Sequence, residues 1–305
     1  MTNAPTVLVG TTEGLLRVGN GGPVELVGGR VTALAPAAGG RRWLALLGDR
    51  FLWAGEADGT WEQVASFDDG PPARCLVAVG DEVLVGTAEA HLLRVRDGRA
   101  QPVPGFEKAE GRDGWYTPWG GPPDTRSLSI GPDGTIYANV HVGGIVRSSD
   151  GGETWEPTID VDTDVHQVLA ADGSVLAPSA YGLATSADGG DSWVMVTEGL
   201  HATYLRAVAV AGEDVLVSAS TGPGGERSAI YRRPGGQGPF ERCRTGLPEW
   251  LGGNVDTGTL VGAGDQVAFA THGGTLYRSS DAGRTWEPVL ERLPRVTAVA
   301  LAQAY

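Results

Sequence analysis

Lysine is nearly absent from this chain: Lys108 is the only one in 305 residues, and 23 basic groups face 37 acidic ones, for a formal charge of -14. A surface this acidic repels phosphate backbones and anionic lipid, which argues against nucleic acid or membrane as the main partner. Cysteine is almost as scarce. Cys75 and Cys243 are too few for a disulfide scaffold and too far apart in sequence for a metal clip, so both read as small core hydrophobes in a reducing compartment. No apolar run reaches the roughly 18 residues of a membrane span. The opening MTNAPTVLVGTTEGLLRV also lacks the basic stretch and long apolar segment of a secretory signal. Cytoplasmic residence is the expectation.

What the chain has is a repeat. The pattern Ser-x-Asp-x-Gly-x-(Thr/Ser)-Trp occurs at Ser148–Trp155, Ser186–Trp193 and Ser279–Trp286. In such a turn the Asp accepts bonds from backbone N–H groups, the Gly takes φ > 0 and the Trp fills space between neighbouring units. Working outward from the Trp anchors, each unit reads as four strands with the motif between the third and fourth. One unit gives RSLSI, TIYANV, GIVRS and TWEPT, and the next gives HQVLA, SVLAPS, GLATS and SWVMV. Degenerate units carry Trp61 or Phe240 in the anchor slot, or no aromatic at all, which makes six complete units. The stretch from Thr6 to Leu26 supplies only three strands, while the tail RVTAVALA from Arg295 aligns with RVTALAPA from Arg30. The tail is therefore expected to complete the first unit. The fold class this predicts is all-β, a seven-bladed β-propeller in one domain over residues 1–305, closed by its C-terminal strand; six blades is the competing count.

The first-to-last order of strands puts the links between units and the loops between second and third strands on one face, opposite the repeated turns. The irregular features fall on that face. The link Pro104 to Asp124 is long and carries Trp115, Tyr116 and Trp119, and a second, from Leu247, brings Trp250. Aligned first strands place Arg74, Arg126, His166 and Arg206 in equivalent positions, with Asp124, Asp164, Tyr204 and Asp256 one period-2 step earlier. Loops add His141, Tyr181 and His272, and His201 lies in a link. Each Arg could serve only as a structural partner for an Asp on the neighbouring unit, and the histidines before Gly-Gly could mark only a tight loop. What those readings explain poorly is the concentration on one face.

Taken whole, the chain resembles the bacterial BNR/Asp-box repeat proteins of the sialidase-like superfamily, the repeated turn being the Asp-box. Sialidases of that superfamily carry an Arg-Ile-Pro motif near the N-terminus; the nearest string here, Arg292-Leu293-Pro294, is at the wrong end, so the resemblance implies the fold and not sialidase activity. The expected function is an enzyme, hydrolase or lyase, acting on a small polar or anionic molecule at the mouth of the channel. Catalytic candidates are His141, His166, His201, Asp164 and Asp256. Binding candidates are Arg74, Arg126, Arg206, Trp115, Trp119, Tyr181, Tyr204, Trp250 and His272. No cofactor is required by the sequence, although His141, His166, His201 and Asp164 are ligand types that could hold a divalent metal. The alternative is a non-catalytic propeller that binds a protein or peptide across the same face.

Overall fold

The computed structural model describes residues 6–19, 21–67, 70–117 and 120–302. Among them, seven four-stranded antiparallel sheets follow one another around a ring. Six are built from consecutive strands. The remaining one is completed from the far end of the chain, where Val296–Ala302 lies beside Thr6–Thr11 in register from Thr6↔Ala302 to Thr11↔Val296. Taking that sheet as blade one, the inner strands of blades two to seven are Val31–Pro36, Ala73–Val79, Asp124–Ile130, Leu169–Ala171, Tyr204–Ala211 and Leu260–Ala263. No helix among the described residues is long and apolar enough to cross a membrane.

Each buried cluster spans two adjacent blades, so the core is distributed around the ring. The cluster between blades six and seven, for example, joins Leu216 and Ile230 to Val267, Phe269 and Trp286, and that between blades seven and one joins Ala268 and Leu276 to Val7, Val299 and Leu301. The repeated turns supply the aromatic plug of these seams. In the first copy Asp150 Oδ1 accepts from the Thr154 amide (3.0 Å) and the Ser148 hydroxyl (2.8 Å), and the Trp155 indole N–H donates back to the Gly152 carbonyl (3.1 Å). The third copy repeats the set, with the Thr285 amide and Ser279 hydroxyl on Asp281 and the Trp286 indole on Gly283. Cys75 and Cys243 are buried free thiols, each pushed up to about 12 by burial.

Two local departures from the sequence reading have physical causes. Strand TWEPT shortens to Glu156–Pro157, because Trp155 turns inward to close the motif. In blade five the inner ladder begins only at Leu169. Opposite it, the Pro178 carbonyl accepts from the His166 amide (2.8 Å), but Pro178 has no N–H to return. The ladder is interrupted there and resumes only as a single Val165↔Ser179 bridge with the Ala180 amide on the Asp164 carbonyl (3.2 Å), where Asp164 takes φ 51°, ψ 58°.

Candidate functional site

In blades one to four and in blade six the aligned positions at the head of the inner strands are β-bulges. Strand pairing skips one residue between Ala73 and Cys75, between Thr125 and Ser127, and between Val31 and Ala33, which leaves Arg74, Arg126 and Thr32 as the extra residues. Blade six does the same across Leu205 and Val208, at Arg206–Ala207, and blade one at Thr297. A bulge bends the strand and re-aims a side chain that regular pleating would place elsewhere, so these groups gather at one mouth of the central channel. The identity of the bulge residue sets its polarity: Thr in blades one and two, Arg in blades three, four and six.

Around this mouth the Asp or Tyr two positions before an aligned strand-head residue reaches the strand-head residue of the preceding blade. Asp124 accepts from Arg74 Nε at 3.0 Å, and Arg74 also meets Asp49 at 3.6 Å. Asp256 meets Arg206 Nη1 at 2.7 Å, and Tyr204 packs on His166 with ring centroids 4.8 Å apart. The fourth pair, Arg126 with Asp164, is broken. The left-handed backbone at Asp164 turns its carboxylate to the histidines, and Arg126 makes no hydrogen bond or ion pair among the described residues. Crowded by protein, Arg126 is pushed down to about 10, first by burial and then by the charge of Arg206, against the pull of Asp256, Tyr204 and Asp164.

The turned carboxylate sits between two imidazoles. Asp164 Oδ1 stands 3.0 Å from His141 Nε2 and 3.8 Å from His166 Nε2. His166 is fully buried. Its Nδ1 lies 2.6 Å from the Leu205 carbonyl; a carbonyl can only accept, so Nδ1 carries the proton and Nε2 presents a bare lone pair. Burial, then the charge of Arg126, pushes His166 down to about 3. The carboxyl of Asp164 is lowered, chiefly by the contact with His141 and against the effect of burial.

A cavity of about 400 Å³ opens beside these groups, lined by Arg74, Asp124, Arg126, His141, Asp256 and Thr257, with Thr117 and Pro122 from the long link. That link is held in place by Phe106, fully buried and edge-on to Trp155 at 5.1 Å. It is also held by a two-bond ladder between Tyr116 and Val142 (3.0 and 3.1 Å). Trp115 packs on Phe106 at 5.7 Å with Arg112 over its ring at 4.9 Å, so it anchors the link to the seam between blades three and four and does not line the cavity. Trp119 lies outside the described residues.

The structure brings together Arg74, Arg126, Arg206, His141, Asp164, His166, Tyr204 and Asp256. It places His201 elsewhere. That ring bonds the Tyr231 hydroxyl through Nδ1 at 2.8 Å and lies 5.0 Å from Trp250, whose indole is covered by Arg242 (3.8 Å) and Arg227 (4.7 Å). His201 and Trp250 thus belong to a cluster built on the third strand of blade six. Tyr181 is 60% exposed on the rim, and His272 is exposed in a turn beside Gly253. Two participants went unseen in the sequence. Asp49 enters from a turn of blade two with φ 60°, for which Gly-Asp before a strand was the available signal. The hydroxyl of Thr257 is shared between the carbonyls of His166 (2.9 Å) and Arg206 (3.0 Å), which no local pattern announces.

No protein-family model and no curated protein matches the chain. Solved structures do. It is similar to YCF48 bound to D1 peptide, with TM-score 0.60 and 16% identity over 94% of this chain and 86% of that one. A catalytically inactive virginiamycin B lyase from Staphylococcus aureus with quinupristin gives 0.63 and 14%, over 89% and 92% of the two chains. The GH74 xyloglucanase from Xanthomonas campestris gives 0.60 and 16%, over 95% of this chain and 46% of that one. At such identities the likeness shows the propeller fold alone, and these propellers include both enzymes and a peptide-binding protein.

Proposed function

We propose that this chain is a propeller enzyme of the Asp-box class, a hydrolase or lyase, that takes a small anionic molecule at the channel mouth. One observation supports the reading above the others. Of three arginines aimed at this mouth, Arg74 and Arg206 are neutralised by neighbouring carboxylates, whereas Arg126 faces a cavity of about 400 Å³ with no carboxylate in contact. A crowded guanidinium without a counter-charge is costly unless a ligand supplies one, and its fork geometry suits a carboxylate or phosphate. His141, Asp164 and His166 lie beside it as the reactive corner. The acidic surface and buried free thiols support a cytoplasmic protein of one propeller domain.

The test is a calorimetric screen of small carboxylates and phosphate esters. A binder should lose roughly 10–100-fold in affinity with Arg126→Lys, which keeps the charge and loses the fork. Affinity unchanged in both Arg126→Lys and Arg126→Gln overturns the reading. A second reading, a peptide-binding propeller, is favoured by the exposed rim tyrosines, Tyr116 at 43% and Tyr181 at 60%. It requires binding that survives loss of Arg126 and fails when both tyrosines become Ala.

A further inference from the structure

The corner formed by Asp164, His141 and His166 presents an arrangement that hydrogen bonding within the protein does not satisfy. Asp164 Oδ1 and His166 Nε2 are both buried acceptors; Oδ1 is met by His141 Nε2 at 3.0 Å, whereas His166 Nε2 receives no hydrogen bond. They face each other at 3.8 Å. A buried acceptor that confronts another is unfavourable, because His166 Nε2 loses water there and gains no donor. The Leu205 carbonyl fixes the tautomer that creates the confrontation, by holding the only ring proton of a neutral His166 on Nδ1. A backbone carbonyl on the far nitrogen of an imidazole is also the arrangement that orients a metal-binding histidine and raises its basicity.

We propose that Asp164 Oδ1, His141 Nε2 and His166 Nε2 bind a divalent transition-metal ion on the wall of the cavity. The three donor atoms lie within 4.8 Å of one another. Tetrahedral donors each about 2.1 Å from an ion stand about 3.4 Å apart, and the carboxylate oxygen's distances of 3.0 and 3.8 Å to the two nitrogens straddle that value. Two imidazoles with one carboxylate select zinc, iron, cobalt or manganese over calcium and magnesium, which prefer all-oxygen sites. Three protein ligands leave at least one position for water or substrate. The inference deepens the anion reading and rests on it for one point: the ion would provide a Lewis acid beside the anion held by Arg126. The same placement accounts for Asp164 leaving Arg126, since its carboxylate serves the ion.

Tag-free protein, freed of metal with a chelator and dialysed, would be titrated with Zn²⁺ by calorimetry and with Co²⁺ by visible absorption, with no anion present. The expected result is about one equivalent per chain and the absorption of a low-coordinate cobalt ion. Asp164→Asn should weaken uptake by more than about 100-fold, beyond the roughly 10–100-fold loss typical of an outer-sphere partner. That side chain is partly exposed and the change keeps its volume, so folding, checked by circular dichroism, should survive; His141→Gln provides the second probe. Absence of one-to-one uptake, or uptake of equal affinity in Asp164→Asn, overturns the inference. Arg126→Gln separates the two claims. It should retain metal uptake and lose anion binding, whereas anion binding through Arg126 with no metal uptake leaves the anion reading standing and removes the metal site.

Discussion

The tryptophans of the repeated turns show how far a single residue's role depends on the seam it enters. Trp155 and Trp286 are 5% and 6% exposed, and each closes a bond to its own turn while packing against the preceding blade. Trp155→Ala and Trp286→Ala should each cost about 3–5 kcal/mol, by loss of transfer energy plus the cavity left behind. Trp193 is only half-buried and should cost less. Denaturant unfolding checks the order, and equal losses at all three sites would mean that the turns act independently of seam packing. The same scale shows what the sequence made legible at the site. Alignment of strand heads was enough to find Arg74, Arg126, His166 and Arg206 together. It could not tell which arginine is left without a carboxylate. That follows from the φ of Asp164 and from Pro178 interrupting a ladder on another strand, and neither is written in the residues around Arg126. His201 shares the link position that suggested it, yet the Tyr231 hydroxyl and Trp250 hold it outward.

At the scale of the element, the repeated turn is a carboxylate device, and its stability should follow pH. Asp150 is held well below the ordinary carboxylate range, first by the Thr154 hydroxyl and then by its amide; Asp188 is lowered likewise, first by the Ser192 hydroxyl and then by Ser186. A depressed folded-state value means that the charged form is favoured by folding. The contribution is therefore complete above the unfolded value, about pH 4, and is lost as pH falls through the folded one. Melting temperature should decline gently below about pH 6.5, because buried His166 stays neutral in the folded chain, and fall more steeply below about pH 4 as the turn carboxylates are protonated. In an Asp150→Asn, Asp188→Asn double variant the start should be lower and the fall shallower, since Asn does not titrate. Parallel curves for parent and variant would assign the acid loss to other carboxylates. The turns were legible because their bonds are local, with donor and acceptor within four residues. The long link was only half legible. Its length and aromatics marked it as ordered, but Trp115, expected at the cavity, is drawn beneath it by Phe106 and Arg112, while Thr117 and Pro122 supply the wall.

At the scale of the molecule, ring closure decides whether the blades form one folded body. The count of seven was legible because three strands at the N-terminal end lacked a first strand and the solitary C-terminal RVTAVALA matched the head of another blade. Six blades would have left both ends exposed. In the structure Val296–Ala302 is the inner strand of blade one and contributes to two seams at once. Val296, Val299 and Leu301 enter the cluster shared with blade seven, and Ala300 and Ala302 the cluster shared with blade two. It also ties the ring by single bonds on either side, from the Val299 amide to the Gly258 carbonyl (2.8 Å) and from the Thr297 hydroxyl to the Val31 carbonyl (2.6 Å). Deleting residues 295–305 removes one strand from 28, yet it should unmake both seams and leave Thr6–Thr11 as a long unpaired edge, a template for aggregation. The truncated chain is expected to be insoluble or to melt far below the parent. A synthetic peptide of residues 295–305 added during refolding should recover monomeric protein on size exclusion, because the missing strand pairs through backbone bonds that need no covalent link. A deletion that stays soluble and melts with the parent would mean that the seams of the other blades hold the ring without closure.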